Sequence, residues 1–306
     1  MPLVYVTEEE VKRLLPMREC IAAMRRCFDA LAAGAAINQP RRRLVLPTGS
    51  MLHSMAGAYD RYFGTKVYAT NPRYGADFTF HLYDADTAEH LAQFEANHLG
   101  QIRTGATTGY AIDRLAKADA RVLSIIGSGF QAKTQLEAAI AVRPIQVLKV
   151  YSRKPENRQK FAEEASERYG IFGVVCSSPE EALDDADILI TATFSGKPVF
   201  HGGWGRGPLL VCAMGSNHPD RRELPPELIR EANLLVADDV EQARLEAGDY
   251  LLALSENDWA RVKPLTEVTG PVDGLVVFKS VGLGVEDVAA AAQIYDKLKN
   301  VPTLGR

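Results

Sequence analysis

The stretch Arg121-Val-Leu-Ser-Ile-Ile-Gly127-Ser128-Gly129-Phe-Gln131-Ala132-Lys133 decides the fold. Its first half is a short apolar run rich in β-branched residues, the pattern of a buried strand. Two glycines follow, and from Gln131 to Val142 the apolar positions Ala132, Leu136 and Ala139 recur at helical spacing. Strand, glycine turn and helix in that order make a dinucleotide-binding βα unit. Gly127 permits the tight turn. Gly129 lets a pyrophosphate approach the backbone at the helix N-terminus, and Ala132 lets helix and strand pack closely. G-x-G-x-x-A spacing alone is a weak match, so the flanking strands carry the assignment, the second running from Gln146 to Tyr151.

The end of that second strand speaks to the nucleotide. An Asp or Glu about 20 residues past the glycines binds the ribose 2′-hydroxyl of NAD. Here Ser152 stands at that place with Arg153 and Lys154 beside it. A carboxylate would repel a 2′-phosphate, whereas a hydroxyl and a guanidinium bind it. NADP(H) is therefore favoured over NAD(H). The candidate cofactor contacts are Gly127, Ser128, Gly129, Gln131, Ala132, Ser152, Arg153 and Lys154, with Thr191 and Ser280 further along.

Downstream, helical and strand patterns alternate. Helices are expected at Glu156 to Tyr169 and Pro179 to Leu183, and strands at Phe172 to Cys176, Asp187 to Ala192, Leu209 to Met214 and Leu234 to Ala237. This predicts a doubly wound α/β Rossmann domain over residues 116–280. Upstream, Thr7 and Glu10 form a capping box, and a second helix runs from about Met17 to Ala33, where Gly34 stops it, with Ile21, Met24, Phe28 and Leu31 on its apolar face. The period then changes from 3.6 to 2, and Arg43 to Pro47, Met51 to Gly57, Tyr62 to Thr70 and Asp77 to Asp84 read as strands of a mixed or antiparallel sheet. A helix from about Glu95 to Lys117 and another at Val285 to Leu298 follow. Residues 1–115 and 281–306 are thus expected to form one discontinuous α+β domain.

Composition excludes several classes. The 306 residues carry a net charge of −4, so no basic field suggests a nucleic-acid partner. No apolar run is long enough to span a membrane, and the first residues lack the regions of a signal peptide. Cys20, Cys27, Cys176 and Cys212 include no CxxC, which fits a reduced, cytoplasmic enzyme. The six histidines show no ligand spacing, so no metal is expected.

Several segments together resemble the ornithine cyclodeaminase/μ-crystallin family. They are Gln39-Pro-Arg-Arg-Arg43, Gly64-Thr-Lys66-Val with Asn71-Pro72, Ile102-Arg103-Thr-Gly-Ala106, the glycine turn, Gly215-Ser-Asn217-His-Pro-Asp-Arg-Arg-Glu-Leu224, and Phe278-Lys-Ser280-Val-Gly-Leu-Gly-Val-Glu286-Asp287. The resemblance implies a substrate-binding domain that dimerises through its sheet, closed over a Rossmann domain. It places the substrate carboxylate on Arg42, Lys66 and Arg103. A fixed set of cationic donors would orient an amino or imino acid toward the nicotinamide.

Two positions depart from the cyclodeaminases, which carry a glutamate in the second strand and an acidic residue after the fifth Rossmann strand. Here the aligned residues are His53 and Asn217. An amide cannot exchange a proton at neutral pH, and ornithine cyclisation requires proton transfers. Imine reduction requires less, because hydride comes from the cofactor. The expected activity is therefore NAD(P)H-dependent reduction of a 2-imino acid or amino-acid dehydrogenation. Lys66 and Asn217 lie at the chemistry, and His53 or His218 is the proton donor. Ornithine cyclodeamination and non-catalytic NADPH-dependent binding of a small ligand remain the alternatives. The partners expected are a small amino or imino acid and a second copy of the chain.

Overall fold

Strands and helices near the N-terminus follow their signals closely. The computed structural model describes residues 3–71, 73–204 and 208–300. Pro72, of the Asn71-Pro72 motif, and residues 301–306 of the C-terminal piece lie outside them. β1 (Val4–Val6) leads into α1 (Glu8–Leu14), whose N-terminus is closed by the reciprocal Thr7–Glu10 capping box. α2 (Met17–Ala32) buries Cys20, Ile21, Met24, Cys27 and Phe28 on one face.

β2 (Ala36–Val45), β3 (Met51–Tyr59), β4 (Tyr62–Asn71), β5 (Gly75–Asp84) and β6 (His90–Glu95) then form an antiparallel meander. β1 joins its edge parallel to β6, giving the order β1-β6-β5-β4-β3-β2. Alternation sets the faces: Met55, Lys66, Phe80 and Phe94 pair across four strands as one buried row. β6 is not evident from the sequence because two adjacent buried residues, Leu91 and Ala92, break its alternation.

α3 (Asn97–Leu115) begins beside this sheet, where a Cβ on Gly100 would lie 3.7 Å from the Lys66 ammonium. The chain divides into two compact units, Met1–Ala106 with Leu283–Arg306 and Thr107–Gly282. The division falls inside α3 rather than at its end near 115. The second half of the helix is tied elsewhere: Arg143 donates to the carbonyls of Ile112, Asp113 and Ala116 at 2.7–2.9 Å.

The second unit is a parallel eight-stranded sheet. Its elements are β7 (Val122–Ile126), α4 (Phe130–Val142), β8 (Val147–Tyr151), α5 (Pro155–Tyr169), β9 (Phe172–Val175), α6 (Pro179–Leu183), β10 (Ile188–Thr191), β11 (Leu209–Ala213), α7 (Pro226–Glu231), β12 (Leu234–Ala237), α8 (Val240–Glu246), α9 (Gly248–Leu251), β13 (Val262–Pro264) and β14 (Leu275–Lys279). The order β13-β12-β14-β11-β10-β7-β8-β9 reverses direction between β7 and β10. That switch point opens a crevice at the carboxyl ends of the strands. β14, the last strand in sequence, sits in the middle of the sheet between β11 and β12. The sequence reading used its residues only as a motif, and it did not resolve β13 or α7 to α9.

α10 (Gly284–Asn300) belongs to the first unit. Asn38 Oδ1 accepts its first backbone N–H, from Gly284, at 3.0 Å. The helix start presses on β3: a Cβ on Gly57 would lie 2.6 Å from the Val285 backbone, and one on Gly284 would lie 2.5 Å from the Ala56 carbonyl oxygen.

Candidate active site

In the second unit, the turn between β7 and α4 has the geometry a dinucleotide requires. Gly127 has φ +119°, and a Cβ there would come 2.4 Å from the Ala192 carbonyl oxygen. Gly129 is the N-cap of α4 without a side-chain cap, and a Cβ on it would meet nothing within 4 Å. The first N–H groups of a thirteen-residue helix are thereby left to an anion, and the open space over Gly129 suits a pyrophosphate. Ala132 is fully buried, as close helix–strand packing demands. Gln131, in the first helical turn, is half-buried, and its Oε1 has no hydrogen-bond partner. Ser128 Oγ donates to Ser152 Oγ at 2.9 Å, tying the glycine turn to the end of β8. Arg153 and Lys154 are exposed.

Two of the expected cofactor contacts are corrected. Thr191 is fully buried and its Oγ1 donates to Glu223 at 2.9 Å. Ser280 is buried with its Oγ donating to Asp238 at 2.8 Å. Both hydroxyls anchor strand ends instead of facing a ligand. Glu223 also accepts from Thr193 and from the Gly215 N–H at 2.7 Å, and burial, then neighbouring Asp249, raises its pKa. Asp238 also accepts the Val281 and Gly282 N–H groups at 2.8 Å; burial pushes it up to about 6 against those hydrogen bonds. Lys279, wholly buried, pairs with Asp249 at 3.0 Å. These groups brace the loop after β11, which carries Asn217, exposed, and His218, whose Nδ1 lies 2.5 Å from Asp220.

In the first unit, Lys66 and Arg103 come together. Lys66 Nζ lies 2.9 and 2.7 Å from the two oxygens of Asp287, and Arg103 Nε lies 3.0 Å from Asp287 Oδ1. Arg103 Nη1 reaches Glu286 at 2.7 Å. Lys66 is 2% and Arg103 5% exposed, and both acids are wholly buried. Burial, then the charge of Arg103, lowers the Lys66 pKa to about 8, although Asp287 opposes the shift. Burial likewise works against the charge of Arg103, but Asp287 and Glu286 outweigh it and hold its pKa above the ordinary value.

Arg42 is not part of this cluster. A bulge between Gln39 and Arg42 turns Arg42 to solvent and Arg41 inward, where Arg41 is 8% exposed and its charge acts on Lys66. His53 lies on the same sheet face as Lys66. Its Nε2 is 2.9 Å from Thr70 Oγ1, and its ring stacks on Tyr68 at 4.2 Å.

Comparison with known proteins places these geometries. The family model described as "Ornithine cyclodeaminase/mu-crystallin family" matches residues 3–301. The chain belongs to that family. It is an NAD(P)-dependent oxidoreductase of the imine-reducing and amino-acid-dehydrogenating kind. A Δ1-pyrroline-2-carboxylate reductase of Bacillus cereus is 31% identical over 96% of both chains. The solved structure of the Thermococcus litoralis Δ1-pyrroline-2-carboxylate reductase, in complex with NADH and L-proline, is 31% identical with a TM-score of 0.92 over 97% of this chain and 98% of that one. An archaeal alanine dehydrogenase dimer with bound NAD is 30% identical, with a TM-score of 0.91 over 98% of both.

Within this family frame, Arg41, Glu286 and Asp287 are the site residues that sequence reasoning missed. Pro40 and the run Arg41-Arg42-Arg43 leave the register open to a slip by one, and the bulge between Gln39 and Arg42 decides it for Arg41. The acids were visible in the last motif but had no partner until α10 was seen against β3 and β4. Among the described residues no group of His, Cys, Asp and Glu is arranged to hold a metal ion.

Proposed function

We propose that this protein reduces a cyclic 2-imino acid, Δ1-pyrroline-2-carboxylate or a close analogue, to the L-amino acid with NADPH. The observation that carries this reading is the buried pairing of Lys66, on the inner face of the sheet, with Arg103 of α3 around Asp287. Two cations in a dry setting, with Arg41 nearby, recognise a carboxylate strongly, and Asp287 and Glu286 hold them in fixed orientation. Met55, Phe80 and the stacked His53–Tyr68 pair beside them suit a small ring better than a flexible chain ending in a second ammonium.

A nicotinamide held by the second unit would supply the hydride that reduces the imine carbon. Lys66 carries a proton at neutral pH, and its lowered pKa makes that proton available to the imine nitrogen. His53, on the same sheet face, is the second candidate donor. The open space over Gly129 and the uncapped start of α4 would hold the pyrophosphate. Asn217 orients by hydrogen bonds and exchanges no proton, which separates this chain from the cyclodeaminases it resembles. Ser152, Arg153 and Lys154, with no acid at the end of β8, support NADP(H) over NAD(H).

We also infer a homodimer formed through the first unit. The outer face of its sheet exposes Leu44 and Leu52, paired across β2 and β3, with Ile37 further along β2, and exposed apolar side chains of this kind support an interface there. The four cysteines are unpaired, in keeping with a reducing cytoplasmic setting.

The deciding experiment supplies Δ1-pyrroline-2-carboxylate and NADPH and follows cofactor oxidation and L-proline formation, beside ornithine with catalytic NAD. Turnover of the imine with little or no proline from ornithine is the expected result. Robust proline and ammonia from ornithine, or tight ligand binding without turnover, would overturn it.

A further inference from the structure

We propose that Arg158, a residue outside the glycine turn and outside the Ser152–Lys154 segment, is the group that reads the ribose 2′ position and binds the 2′-phosphate of NADPH. This rests on the NADP(H) reading above and names the residue that would enforce it.

Arg158 lies one turn into α5, and its guanidinium is held on two sides. Nη1 donates to the Ser152 carbonyl at 3.0 Å, and the guanidinium carbon sits 5.1 Å from the centre of the Tyr151 ring. Its charge also acts on the Cys176 thiol, which places it at the carboxyl ends of β8 and β9. Ser152 is the residue that stands where an NAD-type acid would be, and its hydroxyl is already tied to Ser128 at 2.9 Å. Arg158 therefore occupies the edge of the crevice where the ribose of a dinucleotide lies.

The remaining donors of this guanidinium are unmatched. Among the described residues, the buried Nε has no hydrogen-bond partner, Nη2 makes no hydrogen bond, and no carboxylate pairs with the guanidinium. A pre-oriented guanidinium with an open edge binds phosphate at a small entropic cost. Arg153 and Lys154, both exposed, would have to be immobilised first. The start of α5, whose N-cap Lys154 supplies no side-chain cap, adds partial positive charge at the same place.

The test is nucleotide binding without substrate, so that it does not depend on which imino acid is reduced. Fluorescence titrations would compare NADPH, NADH and 2′,5′-ADP on the wild type, Arg158→Ala, Arg158→Lys and Arg153→Ala. In the wild type, NADPH is expected to bind at least about tenfold more tightly than NADH. Arg158→Ala should weaken NADPH and 2′,5′-ADP by about 10- to 100-fold while NADH changes less than about threefold, the scale of one charged hydrogen-bonding contact. Arg158→Lys should lie between, because it keeps the charge without the fork. Retained NADH binding shows that the variant site is intact. Equal loss for both nucleotides would make Arg158 a scaffold residue and overturn the proposal. If the loss falls on Arg153→Ala instead, NADPH preference stands but Arg158 is not its source. A wild type that shows no preference overturns the NADP(H) reading and Arg158's role together, and is recognised before any variant is made.

Discussion

A lysine set in an apolar row of a sheet loses most of its hydration, and the charged form survives only where a partner holds it. Asp287 is that partner for Lys66, while Arg103 and burial push the other way. The sign follows directly: below about 8 Lys66 is protonated, and above that pH it becomes neutral. If Lys66 donates the proton, kcat/KM for the imine should fall tenfold per pH unit above about 8, in a profile measured from about pH 6 to about pH 10. Asp287→Asn should move that limb to lower pH, because it removes the charge that favours the ammonium. Lys66→Met should abolish the limb and lower kcat/KM by about 10- to 100-fold, with NADPH binding retained. An alkaline limb that persists in Lys66→Met would assign the proton to another group, His53 first.

Two glycines decide whether α10 can bring its acids to the sheet. With Gly57 and Gly284 bare, the helix start rests on the β3 backbone and delivers Glu286 and Asp287 to Arg103 and Lys66. A methyl group at Gly57 would overlap backbone atoms of Val285 that no rotamer change can move. Gly57→Ala should therefore cost about 1–3 kcal/mol or more and lower the thermal unfolding midpoint. Gly129→Ala is the contrasting element-scale change. Its φ of −87° and open surroundings predict an unchanged midpoint, yet the added Cβ would occupy space a pyrophosphate needs and should weaken both nucleotides. A loss of stability in Gly129→Ala, or none in Gly57→Ala, would contradict this assignment of the two glycines.

At the scale of the molecule, the chain leaves its first unit inside α3, builds the whole parallel sheet, and returns to complete the Lys66–Arg103 cluster with α10. The buried ion-pair cluster thus draws on distant parts of the sequence, Lys66 and Arg103 from β4 and α3 and Glu286 and Asp287 from α10. The first unit's sheet leaves Leu44 and Leu52 paired across β2 and β3 on its outer face, 60% and 44% exposed. Burying that face against a second copy gives an expected solution mass of twice the chain, measured by light scattering. Leu52→Lys should shift it toward the monomer. A monomeric wild type, or a dimer indifferent to Leu52→Lys, would place the interface elsewhere or remove it.

What the sequence determined alone was local: the period of each segment, the glycine turn with its strand and helix, the capping box at Thr7, and the absence of an acid at the end of β8. These signals act over a few residues, so backbone conformation and side-chain type suffice to read them. The family resemblance extended that reach to Lys66 and Arg103, whose meeting the structure shows. Tertiary structure decided what depends on register and distant contact. A bulge exchanged Arg42 for Arg41, because one extra residue in a strand reverses which side chains face inward. Thr191 and Ser280 became anchors once Glu223 and Asp238, 32 and 42 residues away in the chain, were seen to accept their hydroxyl protons. Asp287 met Lys66 across 221 residues of sequence, a pairing that no local pattern encodes and that only the packing of α10 on the sheet brings about.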